Sequence, residues 1–239
     1  MDIKIPYTPR KHQAFLHNEI SKHRWSVLVC HRRFGKTVCM INHLIRSALL
    51  SKNKNPRYAY ISPTFKQSKS IAWDYMKQFT AKIPYTKFNE TELWVDLPNG
   101  SRITLLGSEN SDGLRGIYLD GCVIDEYANV NEKLFPEIIR PALSDRKGYC
   151  VFIGTPQGMN NNFYELYQHA QGAEDWFNYK AKASETKIVD NEELVKAKEV
   201  MGEKKYLQEF ECDWIANIEG SIYNDTLVKM EDQKQLTRV

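Results

Sequence analysis

Polar and apolar positions along the chain follow two alternating periods. Short, nearly continuous apolar runs are separated by longer stretches in which apolar residues recur at helical spacing. Residues 10–23 carry Phe15, Leu16 and Ile20 at that spacing, with Thr8 and Pro9 ahead of them as cap and first-turn residues, and predict a helix. The valine-containing run 26–30 predicts a buried strand, Arg32-Arg33-Phe34-Gly35 a turn, and 36–50 a second helix. The stretch from Asn53 to Pro56 interrupts the pattern; 58–62 reads as a strand and 66–82 as a helix. Segments 93–97 and 102–106, joined by Pro98-Asn99-Gly100, predict a hairpin, because Asn-Gly supplies the positive φ angles of tight turns. Runs 122–125, 149–154 and 177–183 predict further strands. Strands alternating with helices imply an α/β domain with a mostly parallel sheet flanked by helices.

The tail has another texture. From Asp190 it is charged, with helices predicted over 190–201 and 203–212 split near Gly202. A boundary near 185 divides a core (1–185) from a tail (186–239) too short for its own core, expected to pack on the main domain or lead to another. Composition narrows the class. The 239 residues are 42% hydrophobic and 26% charged, which fits one large globular domain and excludes disordered, collagen-like and coiled-coil chains. No apolar run is long enough for a bilayer, and the start lacks a charged leader followed by an apolar segment, so a soluble, intracellular, non-secreted chain is expected. Five cysteines without a CxxC pair and six histidines without ligand spacing argue against structural zinc. A net charge of +3 permits nucleic-acid binding without arguing for it.

The strongest chemical signal is Cys30-His31-Arg32-Arg33-Phe34-Gly35-Lys36-Thr37 between a predicted strand and a predicted helix. It matches the phosphate-binding loop pattern G-x-x-x-x-G-K-[ST], except that Cys30 replaces the first glycine. Backbone N–H groups at a helix start cradle phosphate oxygens. Lys36 would reach the β- and γ-phosphates and the Thr37 hydroxyl would ligate Mg²⁺. Val123-Ile124-Asp125-Glu126 is an apolar strand ending in two carboxylates, at the sheet edge where ligands of parallel sheets bind. Asp125 is expected to bind Mg²⁺, directly or through water, and Glu126 to polarise a water for attack on the γ-phosphate. The run from Val151 to Gly158 ends at the same edge, so Thr155 or Gln157 could sense the γ-phosphate. Gln13 carries an amide suited to an adenine edge, a reading no stronger than an ordinary helix position. Arg115, flanked by glycines, suits an arginine finger acting on a neighbouring subunit; Arg140 and Arg146 compete for that role.

Taken together, these segments resemble the N-terminal ATPase domain of the large terminase subunit, the DNA-packaging motor of tailed bacteriophages. The resemblance rests on Arg32-Arg33-Phe34-Gly35-Lys36-Thr37, on Tyr60-Ile61-Ser62-Pro63-Thr64 with Gln67, on Gly113-Leu114-Arg115-Gly116 upstream of Ile124-Asp125-Glu126, and on Gly154-Thr155-Pro156. It implies an additional-strand P-loop (RecA-like) ATPase fold in which Lys36, Thr37 and Asp125 hold MgATP and Glu126 is the catalytic carboxylate. It also implies a coupling role at Thr155, an adenine contact around Gln13, a trans-acting Arg115 and a phosphate contact from Arg32 or Arg33. The function implied is ATP hydrolysis driving double-stranded viral DNA into a procapsid. The implied setting is a ring of five subunits gripping DNA by sequence-nonspecific backbone contacts, with a portal protein and a small terminase subunit as partners, in the host cytoplasm. Residues after about 185 match a lid and linker. Family members also carry a C-terminal nuclease; the late acids Asp225, Glu231 and Asp232 are scattered without a strand to present them, so no nuclease site is expected here. A helicase-like or remodelling DNA-dependent ATPase and a nucleotide-dependent assembly switch are the alternatives, and the paired carboxylates count against the switch.

Overall fold

The computed structural model describes residues 5–215, apart from the side chains of 111–113. An eight-stranded sheet forms its centre, built from β1 (Trp25–Cys30), β2 (Arg57–Ser62), β3 (Lys87–Asn89), β4 (Trp94–Asp96), β5 (Arg102–Gly107), β6 (Gly121–Ile124), β7 (Tyr149–Gly154) and β8 (Trp176–Ala181). The spatial order is β3-β4-β5-β2-β6-β7-β1-β8. All neighbours from β5 to β8 pair in parallel; at the other edge β4 pairs antiparallel with both β5 and β3. One strand, β7, is inserted between the strand leading into the phosphate loop (β1) and the strand ending in the carboxylates (β6). This is the additional-strand arrangement that the family resemblance implies.

Alternation along each strand sends side chains into two separate apolar layers. Leu28, Cys30, Tyr60, Val123, Val151 and Ile153 face one layer, while Val27, Val29, Ile61, Ile124 and Phe152 face the other. Both faces are covered, which is why these strands read as continuous apolar runs rather than as alternating ones. The first layer is closed by α1 (Lys11–Ile20), α2 (Lys36–Leu50) and a helical run made of α3 (Phe65–Gln67), a π-helical turn (Ser68–Ala72) and α4 (Trp73–Thr80). The second is closed by a π-helical turn (Leu134–Ile139) continuing into α5 (Arg140–Ala142), by α6 (Asn162–Gly172), and by Trp214. Phe152 lies at the centre of this layer, edge-on to Phe135 at 4.7 Å and to Tyr127 at 4.8 Å. Truncating such a ring to Ala costs about 3–5 kcal/mol.

Most predicted elements are present, with shifted ends. α1 begins at Lys11 with Arg10 at its N-cap, so Thr8 and Pro9 are not its cap and first-turn residues. The predicted 177–183 strand ends at Ala181, and the chain turns into α7 (Ala183–Thr186). The hairpin forms between β4 and β5, with Gly100 at φ 85°. Further elements lie outside the prediction. Strand β3 is a short, mostly exposed edge. α6 is announced by Asn161, whose side chain accepts from the N–H groups of Phe163 and Tyr164. The run 134–142 contains Pro136 and Pro141, which break a simple helical pattern; Pro136 sits in the first turn, where its missing N–H costs nothing.

The tail forms α8 (Asn191–Met201) and α9 (Glu203–Phe210), which bury Leu194 and Phe210 with Ala183 in a small satellite cluster. It docks on the main sheet: Cys212 and Trp214 join the second layer, and the Cys212 thiol donates to the Ala181 carbonyl at 3.2 Å. Asp225, Glu231 and Asp232 lie outside the described residues.

Candidate functional site

The phosphate loop leaves β1 at Cys30 and enters α2 at Lys36. Cys30 belongs to the strand and is buried in the first layer, so the missing first glycine is not where the chain turns. The turn is made by Arg33 at φ 70° and Gly35 at φ 88°. A Cβ on Gly35 would lie 3.0 Å from the Gln13 amide nitrogen, a second reason for glycine at that position. Phe34 is buried with its ring edge-on to His31, anchoring the loop on either side of two exposed arginines, Arg32 and Arg33. The Lys36 ammonium donates to the carbonyls of Cys30 at 3.0 Å and His31 at 3.3 Å, so it spans the mouth of its own loop. Above it, the first N–H groups of α2 have no partner within the helix and form an anion-binding terminus.

The carboxylates come from the end of β6. Asp125 N–H donates to the Ile61 carbonyl at 2.7 Å, which carries the β2 pairing one residue past the strand. The buried Asp125 carboxylate is held from two sides: Tyr60 hydroxyl donates to Oδ2, and Glu126 N–H donates to Oδ1 at 2.9 Å. Glu126 adopts φ 47°, ψ 48°, a left-handed conformation that a non-glycine residue holds only under constraint. Burial first, and the Asp125 charge second, push the Glu126 carboxyl up to about 7, against the opposing pull of Lys36. Burial also raises Asp125, opposed by the Tyr60 hydrogen bond and by Lys36. Lys36 therefore acts electrostatically on both acids from across the inserted strand.

At the third loop, Gly154 ends β7 with its α-carbon packed near the backbone of Glu126; a Cβ there would lie 3.6 Å from Glu126 Cα. Thr155 follows, buried, and Gln157 is exposed. The tail reaches this turn and the phosphate loop together. The buried Gln208 amide donates to the Pro156 carbonyl at 2.6 Å. Arg32 N–H donates to the Glu209 carbonyl at 2.7 Å, and the Arg32 guanidinium lies 3.9 Å from the Glu209 carboxylate. His31 Nε2 meets the Thr186 hydroxyl at 2.8 Å.

The structure therefore brings Arg32, Arg33, Phe34, Gly35, Lys36, Thr37, Asp125, Glu126 and Thr155 to one end of the sheet. Gln13 is buried beside the loop, but both ends of its amide are engaged: Oε1 accepts from Arg10 N–H at 3.0 Å, and Nε2 donates to the Gly35 carbonyl at 3.3 Å. Arg115 is exposed and lies 3.8 Å from Glu137. Arg140 is exposed on the second-layer helical run. Arg146 sits at the opposite end of the sheet, where it lies 3.7 Å from Asp120, donates to the Lys54 carbonyl at 3.1 Å and stacks on Tyr118. Tyr60, Gln208 and Glu209 carry no site role in the sequence reading. Tyr60 is one of two tyrosines in β2 and stands out only within the segment that carries the family resemblance; the two tail residues had no signal.

The donor set fits a small hard cation. Thr37, in the first turn of α2, offers a hydroxyl oxygen, and Asp125, at the end of β6, a buried carboxylate. Oxygen donors of this kind suit Mg²⁺, an ion that completes its shell with water and phosphate. Among the described residues no helix is long and apolar enough to cross a membrane.

Comparison with known proteins agrees with this geometry. The family model described as terminase large subunit, T4likevirus-type, N-terminal, matches residues 29–230. The large terminase subunit of Thermus phage G20c is 40% identical over 60 residues, 25% of this chain and 12% of that protein. The chain thus aligns with only a small part of the length of such curated relatives. Among solved structures, the Thermus phage P74-26 large terminase ATPase domain superposes with a TM-score of 0.74 at 20% identity, over 88% of this chain and 96% of that one. A large terminase from a thermophilic bacteriophage, solved in complex with ADP, gives a TM-score of 0.74 at 16% identity over 86% of this chain and 53% of that one. At such identities these likenesses are of fold. With the family model covering most of its length, including the phosphate loop and the paired carboxylates, this chain belongs to the family of terminase large subunit N-terminal domains of the T4-like-virus type.

Proposed function

We propose that this chain hydrolyses ATP to drive translocation of double-stranded viral DNA into a procapsid. The observation that carries the reading is the convergence of Lys36, Asp125 and Glu126 at one sheet end, on either side of the inserted strand β7. Lys36 exchanges its loop carbonyls for the β- and γ-phosphates, and the start of α2 holds phosphate oxygens with backbone N–H groups. Arg32 and Arg33 add positive charge there. Thr37 and Asp125 would hold Mg²⁺, which when bound neutralises phosphate charge. Glu126 accepts a proton at its carboxylate from the attacking water; a carboxyl poised near neutral suits that task. Thr155 lies one residue beyond the Glu126–Gly154 contact, and its turn is tied to Gln208, so a change at the phosphates reaches α9. Residues 186–239 serve as lid and linker in this reading. Gln13 braces the loop through Gly35, and an adenine contact requires its amide to exchange partners.

Family membership supports the wider assignment: duplex DNA held without sequence preference, a portal protein and a small terminase subunit as partners, a working ring of five subunits, and a site of action on the procapsid in the host cytoplasm. Arg115 is the trans-acting finger in this ring. Phosphate release measured with Mg²⁺, with and without linear duplex DNA, tests the motor reading. Faster turnover with DNA is expected. Slow turnover indifferent to DNA favours the assembly switch and contradicts a motor.

A further inference from the structure

We propose that Tyr60 is the positioning residue that orients the magnesium ligand Asp125, an inference resting on the function proposed above. Tyr60 is fully buried on β2, adjacent to β6 in register with Val123, on the sheet face covered by α2. Its hydroxyl donates to Asp125 Oδ2.

A phenol has one hydrogen. Tyr60 gives it to Asp125. The Asp125 carboxylate, fixed through Oδ2 by Tyr60 and through Oδ1 by Glu126 N–H, cannot rotate about its terminal bond. Tyr60 thus sets the orientation of this carboxylate through one hydroxyl. Outer partners of this kind tune metal affinity without ligating the metal.

Tyr60→Phe keeps the ring and removes the hydroxyl. Nucleotide binding by the full chain, titrated with a fluorescent ATP analogue, is compared in EDTA and across Mg²⁺ concentrations. The Mg²⁺ needed for half-maximal enhancement is expected to rise about 10-fold, while affinity in EDTA stays within about twofold of wild type. A purely structural role would lower the melting temperature and leave this ratio unchanged, and that outcome overturns the inference. A wild-type chain that binds nucleotide no better with Mg²⁺ than with EDTA overturns the functional reading as well. Should Tyr60→Phe fail to fold, the wild-type protein supplies a second readout: the Tyr60 hydroxyl proton, observed by NMR, is expected to shift when Mg²⁺ joins the nucleotide complex. Absence of a Mg²⁺-specific shift contradicts the proposed role.

Discussion

Arg32 is joined to Glu209 twice, through a 2.7 Å main-chain hydrogen bond and through a guanidinium–carboxylate approach of 3.9 Å. The first contact fixes α9 to the phosphate loop. The second places an acid beside an arginine that, in the proposed function, faces phosphate. Next to Glu209 in the chain, Gln208 holds the Thr155 turn, so one turn of α9 touches both the phosphate loop and the loop after β7.

Replacing Glu209 with Gln keeps the main-chain bond and removes the competing charge. Arg32 is well exposed, and Lys205 also pairs with Glu209 at 3.1 Å, so the ion pair itself is worth no more than about 1 kcal/mol. Nucleotide affinity is expected to rise up to about fivefold, in keeping with that energy, with little change in melting temperature. Titration with a fluorescent ATP analogue checks this; weaker binding contradicts competition between Glu209 and phosphate.

Glu126 titrates differently in the folded and unfolded chain. Burial and Asp125 raise it from an ordinary 4.5 to about 7 in the fold, so between those values the native state binds the extra proton. Native stability contributed by this group is therefore lost as pH rises through that window. Glu126→Gln does not titrate, so its stability relative to wild type should increase from pH 4.5 toward pH 7, by on the order of 3 kcal/mol. Urea unfolding without nucleotide at several pH values measures the difference. A pH-independent difference contradicts a carboxyl raised by burial.

Arg115 is tested by mixing. Arg115→Ala subunits can bind ATP, and Lys36→Ala subunits can lend a finger, so two inactive preparations should regain part of the wild-type turnover when combined at concentrations that favour assembly. Additive residual activities in the mixture contradict action in trans.

Much of the site was legible because its signals are local. The phosphate loop spans consecutive residues from Cys30 to Thr37, and Asp125-Glu126 ends an apolar run, so period and motif point to the same place. Sheet order follows less directly: nothing near β7 in the chain says that it inserts between β6 and β1. The contacts of Gln208 and Glu209 join residues far apart in sequence, and a charged amphipathic tail looks the same whether it is solvated or docked. Tyr60 reads as one more large residue in a buried strand until Asp125 is placed beside its hydroxyl. Gln13 shows the reverse limit. Its chemistry suits adenine, yet its position also satisfies the α1 N-terminus and the Gly35 carbonyl.

The central claim is that Glu126 is the catalytic carboxylate of a nucleotide site built on Lys36. Single-turnover phosphate release from bound ATP, compared between wild type and Glu126→Gln, tests it most directly. The variant is expected to bind ATP within a few-fold of wild type while its hydrolysis rate falls by about 10²–10⁴. Hydrolysis at the wild-type rate in Glu126→Gln would contradict the account.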